Sequence, residues 1–434
     1  MHDLAKRLWP INRSLTGEGV RETLMILRET LPNLQIHSVP SGTTAFDWTV
    51  PDEWNIRNAW LEDEFNNRII DFKENNLHVM GYSEPVDCWL TLDELQDHLY
   101  SLPEQPKAIP YITSYYSRRW GLCTSHNHRE SLKPGRYHVL IDSDIRPGFL
   151  NYGELLIRGE SQQEIFLSTY ICHPSMANNE LSGPVVTSAL ATWISSQPNR
   201  RYSYRIVFIP ETIGSLVYLS RNLDILKQKV IAGFNVTCIG DERCYSYLPS
   251  RNGNTLSDHV AKHVLKNIDP KFKKYSWLDR GSDERQYCAS GVDLPIATIM
   301  RSKYGEYPEY HTSLDNFDVV TPSGLEGGFI ALRHAIEIIE KNVFLKSTVL
   351  GEPQLGKRGL YPSISMKGSD NEVRRMMNLI SYCDGLKSLL EIALIIDEPF
   401  WELIPIVERL VEYGLLEQKY ININTRLDCQ ISNV

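Results

Sequence analysis

The order in which the apolar pattern changes its period constrains this chain more than any other feature. Between residues 158 and 345, short apolar runs alternate with longer stretches of helical texture: "EIFLSTYIC", then "SGPVVTSALATWISS", "YRIVFIP", "GSLVYLSRNLDIL" and "VIAGFNVTCI". A helical pattern near 255–267, the run "LPIATIM" and a closing helix, "GLEGGFIALRHAIEIIEKNV", complete the series. Unbroken apolar runs separated by helices are what strands covered on both faces require, so the alternation predicts an α/β layered fold around a central, mostly parallel sheet. In such folds ligands bind beyond the carboxyl ends of the strands.

The flanking regions have other textures. Residues 1–34 read as helical, with Val20, Leu24, Leu27 and Leu31 on one face. From 36 to 157 the runs become short and β-like, broken by Pro, Gly and Asn ("FDWTVPDEW", "NLHVMGYSEP", "GRYHVLIDSD"), which predicts an inserted β-rich domain. Five of the nine tryptophans fall there (Trp48, Trp54, Trp60, Trp89, Trp120) and are expected to be mainly its core, a sugar-binding platform being the alternative. The domain plan is therefore 1–35 with 158–345 as the α/β domain, 36–157 as the insert, a Gly- and Pro-rich linker over 346–362, and 363–434 as a winged-helix-like domain. In that last domain "NEVRRMMNLISYCDG", "LKSLLEIALII" and "PFWELIPIVERLVEYG" read as three helices and "LLEQKYINI" as a wing. The third helix sets Glu402, Glu408 and Glu412 against Arg409, a balance suited to protein contact or a homo-oligomer interface rather than to DNA.

Composition narrows the function. A net charge of −9 argues against general affinity for nucleic acid or anionic membranes. The charged amino-terminal stretch lacks a signal-peptide core and no run approaches the ~18 apolar residues of a membrane span, so a cytoplasmic location is expected. The eight cysteines include no CxxC pair, which reads as reduced thiols, not a thiolate cage. A metal would need histidine and carboxylate ligands.

Such groups recur where the strands end. His173 follows "FLSTYIC", Glu211 follows "RIVFIP", Asp241 follows "FNVTCIG", and His311 stands in "YPEYHTSLDN". Taken singly, each is as well read as a helix cap or a surface residue. Parallel strands would put all four on one rim, where two imidazoles and two carboxylates suit zinc. The chemistry would be metal-assisted hydrolysis with Glu211 as general base. His259 and His263 in "DHVAKH" lack the glutamate of HExxH and read as part of an amphipathic helix. His126 and His128 sit in a polar turn, and "LTGEGV" is too short for a phosphate loop.

Together "CHPSMANNELSGP", "PETIGS", "GDE", "GSDERQY" and "YHTSLDN" resemble the zinc aminopeptidases of clan MH. More closely, they resemble a bacterial aminopeptidase-like branch associated with surface-polysaccharide gene clusters, which carries a β-rich insert and a winged-helix tail. The resemblance implies a zinc-aminopeptidase-like layered fold with His173 as the first ligand, Asn179 on the position of the bridging aspartate, and Glu180 beside it as a further candidate ligand. Glu211 becomes base or ligand, with Thr212 where a second glutamate would stand. Thr237 falls on a further ligand position, and Asp241, four residues on, is the candidate to replace it. His311 is the last ligand. Asp283, Arg285 and Tyr310 are placed on the substrate side. The implied protein binds one or two zinc ions per chain and hydrolyses a peptide or another small amide. Two alternatives stay open: a non-catalytic binding or scaffold protein with a degenerate metal site, and an N-acyl amidohydrolase acting on a sugar precursor.

Overall fold

The predicted alternation folds into one eight-stranded sheet in a computed structural model that describes residues 1–360 and 369–420, with side chains from 372 onward in the second stretch. Its strands are β1 (Gln35–Pro40), β2 (Phe149–Ile157), β3 (Glu164–Tyr170), β4 (Ser203–Ile209), β5 (Val230–Asn235), β6 (Ser246–Leu248), β7 (Lys273–Lys274) and β8 (Ile296–Met300). They lie in the order β1-β2-β4-β3-β5-β8-β6-β7. The middle four, β4-β3-β5-β8, are parallel, with Leu167 opposite Ile206 on one side and Phe234 on the other. β1, β2 and β6 run antiparallel to their inner neighbours. Every residue of β3, β4, β5 and β8 is buried, which is why these strands appear in the sequence as continuous apolar runs without alternation.

Helices α1 (His2–Leu8) and α2 (Glu18–Thr30) open the chain, and the stripe Val20, Leu24 and Leu27 is fully buried. Helices α3 (Ser182–Ser196) and α4 (Ile213–Lys229) form the crossovers from β3 to β4 and from β4 to β5. α5 (Leu256–Ile268) and α6 (Pro322–Lys341) correspond to the two later helical patterns.

The stretch 36–157 enters and leaves through this same sheet, since β1 and β2 pair with each other along their length. Between them lies a separate antiparallel sheet, in the order Arg68–Asp71, Glu53–Asp63, Arg136–Arg146, Val86–Thr91. Its tryptophans divide. Trp54 is core and donates its indole N–H to Ser83 O at 2.9 Å, whereas Trp48 and Trp89 are exposed.

The chain divides into two compact units: Met1–Asp258 with Lys271–Ile330, and His259–Pro270 with the chain from Ala331 on. In the second, Asp384–Ser388, Phe344–Ser347 and Leu416–Lys419 form an antiparallel sheet with helices Ser369–Ser381, Leu389–Ile396 and Phe400–Glu412. The expected second helix begins later than its apolar pattern suggested. Asp384–Ser388 is a strand, and Ser388 caps the helix reciprocally with Glu391. The end of the stretch read as a wing, from 421, lies outside the described residues. His263 is buried here and its Nε2 accepts the Phe400 N–H at 3.0 Å, a structural use of that imidazole. Among the described residues no helix is long and apolar enough to cross a membrane.

Candidate metal centre

His173 stands just beyond β3, buried, with Glu180 on its ring and Arg13 on its carbonyl. Its Nδ1 lies 3.0 Å from Glu180 Oε2. Its carbonyl accepts the Arg13 Nε–H at 3.1 Å, and Arg13 Nε lies 3.5 Å from Glu180 Oε1. Glu180 sits in the π-helical turn Ala177–Leu181, which leads directly into α3. Gly183 lets that helix start so close to the strand ends: a Cβ there would stand 2.4 Å from Thr169 Oγ1 and 2.5 Å from Val236 O. The expected ligand Glu180 is therefore placed behind His173, where it orients the imidazole and leaves Nε2 toward the cleft. Burial raises the Glu180 carboxyl above its ordinary range, while the Arg13 guanidinium and the backbone N–H groups of His173 and Cys172 favour its charged form.

Among the described residues, Cys172, His173 and Glu180 are the group whose potential ligand atoms all fall within 4.8 Å of one another. The chemistry argues against a cage formed by these three. Burial pushes the Cys172 thiol far up, its sulfur accepts the Glu211 N–H at 3.1 Å, and His173 Nδ1 is already engaged by Glu180. The open nitrogen of His173 faces elsewhere, with Nε2 at 3.7 Å from Glu211 Oε2.

Glu211 ends β4 on a strained turn. Thr212 has φ 64° and ψ −76°, and the Ile213 N–H reaches back to Glu211 O at 2.8 Å, closing a γ-turn of the hand that β-branched residues avoid. Asp283 braces this turn: its Oδ1 accepts the Thr212 N–H at 2.7 Å and the Ser215 hydroxyl at 2.9 Å. Asp283, expected on the substrate side, is thus fully buried behind the turn. Arg285, from the same segment, is exposed and donates to Thr212 Oγ1. Burial and the neighbouring Asp283 push the Glu211 carboxyl up, and Arg285 pulls it down.

His311 completes the rim. Its ring centroid is 5.5 Å from that of His173, Tyr310 stacks on it at 3.8 Å, and its Nε2 is buried without a hydrogen-bond partner. Burial lowers both imidazoles to about 3, so each keeps a lone pair for a ligand. Positive φ recurs around this rim at Ser175 (40°), Thr212 (64°), Cys238 (47°) and His311 (56°), and strain of this kind concentrates at functional sites.

Two contributors had no reading in the sequence. Arg13 comes from the turn between α1 and α2. Tyr111, within "AIPYITSYY", places its ring 5.1 Å from each imidazole and its hydroxyl 2.6 Å from that of Tyr115. Tyr111 is stitched to the histidine loop by its N–H to His311 O at 3.0 Å and by Ser313 N–H to Ile109 O at 2.9 Å. The signal available for Tyr111 was its aromatic neighbourhood; for Arg13 there was none.

The remaining candidates lie in a neutral web. Asn179 donates through Nδ2 to Tyr170 Oη at 2.7 Å, Tyr170 donates to Asn179 O at 2.8 Å, and the hydroxyls of Tyr170 and Thr237 are 2.6 Å apart. Asn179 Oδ1 is buried with no partner. The Asp241 carboxylate accepts Asn178 Nδ2 at 3.1 Å, Ser302 N at 2.8 Å, Ser302 Oγ at 2.9 Å and Arg243 N at 2.8 Å, which fills its four lone-pair sites. Asp241, expected as a ligand, is held here by those four donors. Asp315, four residues after His311, accepts the Asn178 and Asn179 N–H groups at 2.7 and 2.9 Å and holds the turn.

The donor types suit zinc: two neutral imidazoles, of which His311 has its Nε2 unpartnered, a buried unpartnered amide oxygen on Asn179, and the Glu211 carboxyl beside His173, although His173, Glu211 and His311 do not bring their ligand atoms within 4.8 Å of one another.

Residues 2–342 match the family described as "Domain of unknown function (DUF4910)", and residues 343–418 match a winged helix-turn-helix. A Clostridium acetobutylicum protein described as "Putative polysaccharide biosynthesis protein with aminopeptidase-like domain" is 43% identical over 396 residues, 91% of this chain and 90% of that protein. A crystal structure of a "putative peptidase" from Clostridium acetobutylicum matches at TM-score 0.90 and 40% identity, covering 96% of each chain. A zinc aminopeptidase from Bacillus subtilis shares the fold at TM-score 0.54 and 10% identity, covering 78% of this chain and 92% of that one. The chain belongs to the DUF4910 family, and with it to proteins that join an aminopeptidase-like fold to a carboxy-terminal winged helix.

Proposed function

We propose that the protein is a zinc-dependent hydrolase of peptide or other amide bonds, acting on a small substrate in the cytoplasm. The observation that carries this reading is the approach of Glu211 Oε2 to within 3.7 Å of His173 Nε2, with the unpartnered His311 Nε2 on the neighbouring ring. His173 and His311 would hold the ion through Nε2 and Asn179 through its amide oxygen. When bound, zinc polarises a carbonyl and makes water a stronger acid.

The chain's own residues supply the rest. Glu211, its carboxyl raised by burial and by Asp283, takes a proton near neutral pH and returns it to a leaving amine. The γ-turn at Thr212, held by Asp283, aims that carboxyl. Tyr111 and Tyr310 wall off the imidazoles from bulk water. Arg285 offers a cation at the rim for the substrate.

The test is zinc per chain by elemental mass spectrometry on untagged protein, with turnover of aminoacyl p-nitroanilides. One equivalent and metal-dependent release support the reading. No zinc, and none taken up on incubation, would sink it in favour of a scaffold. A second substrate class is favoured by the description of the Clostridium relative as a polysaccharide biosynthesis protein, so N-acetylated amino sugars belong in the same panel.

A further inference from the structure

A fully buried arginine stands behind the candidate centre. The side chains of Arg13 and Glu180 are both 0% exposed. Arg13 makes three contacts, all toward fixed groups: Nη1 to Leu8 O at 2.7 Å, Nε to His173 O at 3.1 Å, and Nε to Glu180 Oε1 at 3.5 Å. The pair is poorly satisfied as a source of stability, because Arg13 Nη2 and Glu180 Oε1 are both buried without a hydrogen-bond partner. Burying two charges costs more than such a contact returns, and well-packed apolar side chains of similar length are often as stable or more so. A stabilising role therefore accounts poorly for the pair.

The geometry accounts for it in another way. A histidine ring is fixed by its backbone position and by the partner of one ring nitrogen. Arg13 touches both determinants for His173: the residue's own carbonyl, and the carboxyl that sits 3.0 Å from its Nδ1. We propose that Arg13 is a positioning residue: its buried guanidinium ties the His173 carbonyl to the Glu180 carboxyl and so decides which imidazole nitrogen faces the cleft. This rests on the zinc reading above and deepens it. The residue acts through His173 and does not touch substrate.

The experiment separates positioning from packing. R13M/E180M replaces both charges with apolar side chains of similar length. Zinc affinity is measured by competition with the chromophoric chelator 4-(2-pyridylazo)resorcinol, and the melting temperature of the zinc-free protein alongside it. A positioning role predicts a zinc-free protein that melts at least as high as wild type but binds zinc about 10–100-fold more weakly, the range seen when the outer partner of a ligating histidine is lost. Affinity within about twofold of wild type, on that same scale, overturns the proposal. So does a loss of affinity that only tracks a fall in melting temperature. R13K carries the test should the double variant not fold: it keeps the charge but loses the fork that reaches two acceptors, so zinc should bind more weakly with the cobalt absorption spectrum altered. An unchanged spectrum and affinity in R13K overturn the proposal. A wild-type protein that takes up no zinc overturns the zinc reading and this one together, whereas normal uptake in both wild type and variants removes only Arg13.

Discussion

The two sides of the cleft solve opposite problems with similar residues. On the side of His173, Glu211 and His311, groups able to hold an ion or a proton face one another: Nε2 and Oε2 stand 3.7 Å apart and the His311 nitrogen has no partner. On the side of Thr237 and Asp241, hydrogen bonds to Tyr170, Asn178, Ser302 and Arg243 use up the hydroxyl and the carboxylate. Asn179 is the hinge between them, its Nδ2 in the web and its Oδ1 unfilled. A carboxylate at a strand end is thus no guide to chemistry until its donors are counted.

The largest effect should come from the open side. Glu211→Gln is expected to lower turnover about 10²–10⁴-fold with zinc content and circular dichroism unchanged; ordinary turnover would remove Glu211 from the chemistry. His311→Ala should lower zinc affinity by more than the ~10–100-fold expected when the outer partner of a ligating histidine is lost, as in R13M/E180M. Equal zinc content in His311→Ala and wild type would place the ion elsewhere.

Asp315, which braces the turn carrying Asn179, sharpens the comparison through pH. Burial raises its carboxyl from 3.8 to about 6, so the folded state keeps a proton that the unfolded state has released. Its contribution is present below pH ~4 and disappears as pH rises through about 6, a loss of about 3 kcal/mol at about 1.4 kcal/mol per pKa unit. Urea unfolding of wild type against Asp315→Asn between pH 4 and 7 reads this difference, and parallel stability curves would contradict it. On the satisfied side, Asp241→Asn should destabilise by about 1–3 kcal/mol through lost charge-assisted bonds while leaving zinc affinity alone. A variant that loses zinc but keeps its stability would return Asp241 to the ligand set. The smallest change is expected of Asn179→Asp. With Thr212 and Thr237 still neutral, zinc should remain at one equivalent, and a second tightly bound ion would show that this amide alone had excluded it.

The sequence made the four central strands legible because burial on both faces leaves no polar alternation to confuse with another element. His173 and Glu211 were legible for a related reason, since a polar residue soon after such a run has to stand on the rim, whereas His311, eleven residues past Met300, was legible only through the motif "YHTSLDN". Arg13 was not, since its partner His173 is 160 residues away and nothing local marks an arginine for burial. The bonding of Asp241 could not be read locally, because it depends on Ser302, 61 residues on. The strand Asp384–Ser388 was hidden in an apolar run whose helical part starts only at the Ser388 cap.

The stitching of Tyr111 and Ile109 to the His311 loop has a consequence for synthesis. The joined segments are 204 residues apart at Ile109 and Ser313, so at about 5–20 residues per second the insert emerges from the ribosome roughly 10–40 seconds before its partner loop exists. During that interval Tyr111 has no His311 loop to pair with, and His173 lacks its neighbouring imidazole. The rim closes only when the late His311 loop meets the earlier insert, so a chain ending before residue 311 lacks the second imidazole and the strand-like stitch to Tyr111.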